Sequence, residues 1–183
     1  MRVISGTAKG CKLNSIDDLS TRPTLDRVKE PLFSIIQNYI EDANVLDLFA
    51  GSGALGIECL SRGAKKCIFC DKSFKSLKML KANLNKTRLE GKSKIFEQDY
   101  KKCLTGLNEK FDIIFIDTPY KLDIGVDSIK RILELKLLAK DGIIILETDE
   151  EDRELKDLDD VELEVYDKRK YGRVRLLFLH ERG

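Results

Sequence analysis

Four aspartates, Asp47, Asp71, Asp99 and Asp117, each stand where a short apolar run stops. The runs are Val45-Leu46-Asp47-Leu48-Phe49, Cys67 to Cys70, Lys94-Ile95-Phe96-Glu97-Gln98 and Asp112-Ile113-Ile114-Phe115-Ile116. Apolar runs of this length, bounded by turn residues, read as buried strands. In an open parallel sheet, ligands bind beyond the carboxyl ends of the strands. Asp47 is followed by Gly51-Ser52-Gly53, where missing side chains let a ligand approach the backbone closely. Asp71, about 20 residues beyond the glycines, is placed to accept from ribose hydroxyls. Asp99 can accept from an adenine amino group, with Tyr100 beside the ring. A carboxylate just ahead of the loop is hostile to phosphate and suits a cation. A nucleoside with a sulfonium and an amino-acid head, S-adenosylmethionine, meets those requirements. Gly51-x-Gly53-x-x-Gly56 also matches the dinucleotide fingerprint. No hydride-transfer set follows it, however, and the one histidine, His180, lies near the C-terminus. The plainest alternative makes each aspartate a helix cap after a strand. One or two fit that reading better than four at successive strand ends.

The elements that must hold these residues alternate. Ala54 to Arg62 reads as a helix ending near Gly63, and Phe74, Leu77, Leu80 and Leu84 recur at helical spacing, with Lys75, Lys78 and Lys81 along another side. Ile129, Ile132, Leu133 and Leu137 mark a further helix, and Gly142-Ile143-Ile144-Ile145-Leu146-Glu147 a fifth strand. Strand–helix alternation gives a parallel α/β sheet covered on both faces. The tail breaks the pattern: Val161 to Tyr166 and Val174 to Leu179 read as an antiparallel hairpin joined by Lys168-Arg169-Lys170-Tyr171-Gly172-Arg173. At the other end, Val3-Ile4 and Lys12-Leu13 suggest a small hairpin. Val28, Leu32, Ile36 and Ile40 suggest a helix after Thr24, in which Pro31 either opens the regular turns or kinks them. The expected organisation is one domain over residues 1–183, with 1–43 an N-terminal extension and 44–183 the core.

The chain has 183 residues and a formal net charge of +1, so global charge names no partner. Its distribution is uneven. Arg62 to Lys102 carries 13 Lys/Arg against 4 Asp/Glu, and Asp141 to Glu164 carries 12 acids against 2 bases. Asp167 to Gly183 is again basic, 6 against 2. Such asymmetry suits one face toward a polyanion. No apolar run approaches the ~18 residues of a membrane helix. Met1 to Gly6 lacks the apolar stretch of a leader, so a cytoplasmic protein is expected. The 5 cysteines fit reduced thiols. Cys67 and Cys70 form a C-x-x-C, but residues three apart on a strand point to opposite faces, so no metal site is expected.

Three stretches carry a resemblance. Asp47-Leu48-Phe49-Ala50-Gly51-Ser52-Gly53 resembles motif I of class I methyltransferases. Asp117-Thr118-Pro119-Tyr120 resembles the (Asp/Asn)-Pro-Pro-(Tyr/Phe) motif of amino-group methyltransferases. Arg22-Pro23-Thr24-Leu25-Asp26-Arg27-Val28-Lys29-Glu30 resembles the signature of the RsmD family, as do Met1-Arg2-Val3-Ile4-Ser5-Gly6 and Lys170-Tyr171-Gly172. The resemblance spans nearly the whole chain. It implies a Rossmann-like class I fold with a seven-stranded, mostly parallel sheet. It further implies methylation of a guanine N2 in 16S ribosomal RNA within a small subunit or its assembly intermediate; the sequence does not read out an oligomeric state, and a monomer is the default expectation.

The resemblance also places the site. Asp117, Thr118, Pro119 and Tyr120 are the expected catalytic residues. The Asp117 carboxylate and the Thr118 carbonyl would accept hydrogen bonds from the two amine N–H groups, and Tyr120 would stack on a base that has left its own stack. Thr118 stands where the motif has proline; it keeps the carbonyl, and Pro119 still biases it to an extended backbone. Arg22, Thr24, Asp47, Phe49, Ala50, Gly51, Ser52, Gly53, Asp71, Lys72, Asp99 and Tyr100 would hold the cofactor, with Arg22, Pro23 and Thr24 at its entrance. Arg27, Lys168, Arg169, Lys170, Tyr171 and Arg173 would contact RNA, and Arg175 could reach a phosphate. Arg173 stands where the family tends to have a small polar residue. Two other readings share these motifs: an adenine-N6 methyltransferase of nucleic acid, and an RNA-binding ribosome-assembly factor without catalysis.

Overall fold

A computed structural model describes residues 1–15, 22–118 and 123–183, and for residues 22–26 the backbone alone. Alternation of short apolar strands with amphipathic helices produces the expected layers. The strands are β1 (Asn44–Asp47), β2 (Lys66–Asp71), β3 (Ser93–Glu97), β4 (Phe111–Asp117), β5 (Leu138–Thr148), β6 (Leu163–Tyr171) and β7 (Val174–Glu181). They form one sheet in the order β3-β2-β1-β4-β5-β7-β6. β1 to β5 pair in parallel, whereas β7 lies antiparallel between β5 and β6. Central β4 has apolar residues on both faces because both are covered.

The helices are α1 (Arg22–Ile36), α2 (Ala54–Ser61), α3 (Phe74–Thr87), α4 (Tyr100–Thr105), α5 (Gly125–Glu134) and α6 (Glu151–Asp157). Two buried clusters flank the sheet. One joins Val28, Leu32 and Phe33 of α1, Ile57 of α2 and Leu77 and Leu80 of α3 to Val45, Phe69, Phe115 and Ile145. The other joins Leu104 of α4 and Ile129 of α5 to Leu46, Ile68, Ile114 and Leu146. Cys67 falls in the first cluster and Cys70 in the second, so the C-x-x-C thiols face opposite ways.

Several boundaries differ from the sequence reading. α1 begins at Arg22 rather than after Thr24, and Pro31 lies inside it, leaving the Arg27 carbonyl without its helical donor. α4 and α6 were not foreseen. Phe74 is not on the buried stripe of α3: it is 72% exposed at the first helical position. The basic stretch expected to join the C-terminal strands is mostly strand. Lys168 to Tyr171 belong to β6, and only Gly172-Arg173 turns the chain. The N-terminal hairpin is a single bridge, Arg2 with Lys12, braced by backbone bonds between Val3 and Cys11 and between Leu13 and Met1. No described helix is long and apolar enough to cross a membrane.

Candidate functional site

Strand register decides where the aspartates point. Asp47 pairs with Phe69 and with Phe115. In-register neighbours share a face, and so do residues two apart on one strand. Asp71 and Asp117 therefore lie on the same face as Asp47, the face carrying α1, α2 and α3. Asp117 in turn pairs with Glu147 of β5, which joins the row. Four carboxylates from four adjacent strands thus gather at one rim. Asp99, the remaining member of the expected set, caps α4: its Oδ1 accepts from the Lys101 N–H at 2.9 Å.

The glycine loop is held by those acids. Asp47 is buried, and its Oδ2 accepts from the Gly56 N–H at 3.1 Å. Asp71 is half-buried; Oδ2 accepts from Gly51 N–H and Oδ1 from Ser73 N–H, each at 2.8 Å. The Gly53 N–H donates to the Ala50 carbonyl at 2.8 Å. A dinucleotide fold would present glycine amides to a pyrophosphate. Here all three glycine amides of the fingerprint are committed internally, two of them to carboxylates, so those amides are not offered to a phosphate and the flanking carboxylates repel one. Burial, together with the charge of Asp71, pushes the Asp47 carboxyl up to about 7 against the pull of the Gly56 amide. A cation beside it would return it to the ionised form. Asp71 spends two of the roughly four lone-pair directions a carboxylate offers, which leaves acceptor capacity for a diol. The donor set fits a cationic nucleoside.

An aromatic wall stands on the far side of the loop. Phe49 and Tyr100 pack with ring centroids 5.5 Å apart. The Tyr100 hydroxyl donates to Asp127 Oδ2 at 2.6 Å, and Arg131 Nε donates to the same oxygen at 2.8 Å. Burial first, then this bond to Asp127, pushes the Tyr100 phenol up to about 12. Tyr100 is 8% exposed, so half-buried Phe49 offers the more accessible ring.

Asp117 is half-buried at the end of β4, and Thr118 follows it, 8% exposed. Pro119 and Tyr120 lie outside the described residues, as do the side chains of Arg22, Pro23 and Thr24 in the first turn of α1. Lys72 is exposed in the turn after Asp71, and Arg27 is exposed on α1. The β6–β7 tip reaches the same rim, because Arg175 pairs with Thr148 at the carboxyl end of β5. Its cations differ in freedom. Lys168 and Arg175 both engage Glu151, at 3.0 and 3.5 Å, and Arg169 engages Asp167 at 3.1 Å. Lys170 and Arg173 are exposed, and Tyr171 is half-buried against the core.

Three supporting groups escaped the sequence reading. Asn83, fully buried on α3, donates to the Ser52 carbonyl at 2.9 Å and exchanges bonds with the backbone of Asn14. It ties the glycine loop to the N-terminal segment. A polar residue inside the Leu77–Leu80–Leu84 stripe was the available signal. Lys29 and Glu58 form a buried pair at 3.6 Å, with Lys29 also donating to the Arg2 carbonyl and Glu58 accepting from the Ile4 N–H. Glu147, 8% exposed, shares a small crevice with Lys29, Ala54 and Leu55.

The family model described as conserved hypothetical protein 95 matches residues 1–180. The chain is 42% identical over 154 residues to "Putative rRNA methyltransferase YlbH" of Bacillus subtilis (strain 168), covering 82% of this chain and 84% of that one. It is 34% identical over 154 residues to ribosomal RNA small subunit methyltransferase D of Haemophilus influenzae, covering 82% and 80%. Among solved structures, "Putative methyltransferase yhhF from Escherichia coli" superposes with a TM-score of 0.84 at 27% identity, over 99% of this chain and 97% of that one.

Proposed function

Because this chain belongs to the RsmD family, we propose that it methylates the exocyclic N2 of a guanine in 16S ribosomal RNA, using S-adenosylmethionine. The observation that carries the reading is the row Asp47, Asp71 and Asp117 on one face of the sheet, around a loop whose glycine amides are turned inward. Residues 44–183 form the catalytic core in this reading, and residues 1–43 an extension whose Ile4, Ser5 and Ala8 bond to α2.

When bound, S-adenosylmethionine supplies an electrophilic methyl carbon on a sulfonium. Asp47 holds its carboxylate beside the cationic head, and Asp71 accepts from the ribose hydroxyls. Phe49 and Asp99, with Tyr100 behind, take the adenine. Guanine N2 is a weak nucleophile because its lone pair is delocalised into the ring. The Asp117 carboxylate accepts a hydrogen bond from one N2–H and the Thr118 carbonyl accepts one from the other. These bonds strengthen as the nitrogen becomes cationic, so they favour the transition state over the flat ground state. Holding the amine in line with the methyl supplies the rest.

The test is nucleoside mass analysis of small-subunit RNA after incubation with isotope-labelled cofactor. Labelled N2-methylguanosine is expected. Labelled N6-methyladenosine would replace guanine with adenine as the target, and an unlabelled RNA that still binds the protein would leave an assembly factor.

A further inference from the structure

α3 presents an outward ridge that the site does not use. Phe74, Lys78, Lys81, Asn85 and Arg88 recur at spacings of four and three along it, and all are exposed. Residues so spaced stack on one side of a helix. Lys75 is exposed beside them. Three features set this ridge apart from an ordinary solvated surface. α3 contains no Asp or Glu, so its lysines have only like-charged neighbours at helical spacing, an arrangement that costs helix stability. Among the described residues, none of Lys75, Lys78, Lys81 and Arg88 has a carboxylate within ion-pair distance; in the hairpin Lys170 and Arg173 share that state, while Lys168, Arg169 and Arg175 are paired. Finally, Phe74 is the most exposed large apolar side chain among the described residues, at 72% against 41% for Leu135.

Position gives these features a use. α3 follows directly from Asp71 and Ser73, so Phe74 stands at the rim where the carboxylates gather. From there the ridge descends about 20 Å along the helix. The hairpin tip occupies the other side of the rim, across β1, β4 and β5. The acidic stretch from Asp141 to Glu164 belongs to β5, α6 and the start of β6, and β5 is separated from β2 by β1 and β4. An array of uncompensated cations led by a bare aromatic matches a single-stranded polyanion with a stacking base.

We propose that this ridge is a second RNA-docking surface: Phe74 stacks on an unpaired base next to the target, and Lys75, Lys78 and Lys81 follow the phosphates away from the site. The inference rests on the RNA substrate proposed above.

Fluorescence anisotropy with a 16S ribosomal RNA transcript, titrated from 50 to 200 mM salt, tests it. The triple variant Lys75→Gln/Lys78→Gln/Lys81→Gln should bind at least tenfold more weakly, and the slope of log K against log salt should fall by about 2. Phe74→Ala should weaken binding about tenfold and leave the slope as it is, because stacking releases no counterions. A control triple, Lys136→Gln/Lys140→Gln/Lys156→Gln, removes the same charge elsewhere and should retain the wild-type slope. Thermal melting of each variant reports its fold. Ridge variants that bind like wild type, or a control triple that loses as much slope, would overturn the inference while leaving RNA methylation by the wild-type chain standing. A wild-type chain that binds and methylates no RNA would overturn both.

Discussion

At the scale of single residues, the site depends on carboxylates whose surroundings differ. Asp47 is buried with one backbone donor, and its carboxyl is pushed up to about 7 by burial and by Asp71. The folded chain therefore holds this proton more tightly than the unfolded chain does. Below pH about 4 the side chain is protonated in both states and its contribution to stability is complete. As pH rises toward 7 the unfolded chain ionises first, and that contribution is lost. Asp47→Asn removes the titration while keeping an oxygen for Gly56. The variant should melt progressively higher than wild type between pH 5 and 7.5, by an amount on the order of 1–4 kcal/mol at the upper end. A cationic cofactor reverses the preference. Its affinity for wild type, divided by its affinity for Asp47→Asn, should rise about tenfold from pH 6 to 8 by calorimetry. A flat ratio would remove Asp47 from the binding of the cation. Asp117 should behave differently: Asp117→Ala should keep cofactor affinity within about twofold and lose at least ~100-fold in methyl transfer, since its bonds form mainly to the transition state. Normal turnover by that variant would exclude the hydrogen-bonding role. The aspartates were legible because an acid ending an apolar run is conspicuous in one dimension. Asn83, Glu147 and Lys29 were not, because buried polar groups are explained only by partners brought from far along the chain. Asn83 meets Ser52 across 31 positions, and Lys29 meets Arg2 across 27.

At the scale of elements, the apolar strands and the longer helices were readable because both faces of the sheet are covered and the helical stripes are regular. α4 and α6, with 6 and 7 residues, are too short for a periodic stripe to develop. The β6–β7 tip was misjudged because its basic residues look like a loop. Register, fixed by the buried partners Leu176 and Leu177, carries them on as strand instead. Spacing alone puts Phe74 on the stripe, yet at the first position of α3 it is exposed, and burial begins with Ser76 and Leu77. Two glycines show a constraint that the fingerprint hides. Gly53 has φ 83, and a Cβ there would stand 2.2 Å from Leu80 Cδ1. Gly56, inside α2, would place a Cβ 2.4 Å from Phe69 Cε1 and 2.7 Å from Cys67 Sγ. Replacing an exposed helical glycine by alanine ordinarily stabilises by about 1 kcal/mol. Gly56→Ala should instead destabilise by ~1–3 kcal/mol, because α2 must move off β2 to admit the methyl. A lower urea midpoint with an unchanged m-value is the expected signature. A higher midpoint would mean that the helix–strand contact is looser than these distances.

At the scale of the whole molecule, the N-terminal segment is joined to the core by a buried ion pair. Lys29 on α1 and Glu58 on α2 are 2% and 0% exposed and 3.6 Å apart. Lys29 reaches the Arg2 carbonyl at 3.1 Å, while Glu58 accepts from the Ile4 N–H at 2.8 and 3.2 Å. Ser61, one turn on, donates to the Ser5 carbonyl at 2.6 Å and accepts from the Ala8 N–H at 2.9 Å. One end of α2 therefore anchors the first eight residues, while its other end receives Asp47 through Gly56. The same short helix thus couples the extension to the glycine loop. Removing one member of a buried pair strands the other charge and costs about 3–5 kcal/mol, whereas replacing both with well-packed neutral groups can be close to neutral. Glu58→Gln keeps an oxygen for Ile4 but removes the negative charge 3.6 Å from the Lys29 ammonium. Lys29→Met leaves Glu58 with Arg62, whose Nε is 3.8 Å away. Glu58→Gln should therefore cost more than Lys29→Met, and the double variant should recover most of the loss, giving a coupling energy above about 1 kcal/mol. Hydrogen exchange locates the effect: in Glu58→Gln the Ile4 and Ala8 amides should lose protection ahead of β4, with cofactor affinity falling alongside as α2 loosens. Equal costs for the two single variants, adding without recovery in the double, would show that each side chain is held by its backbone partners and that the pair contributes nothing as a pair.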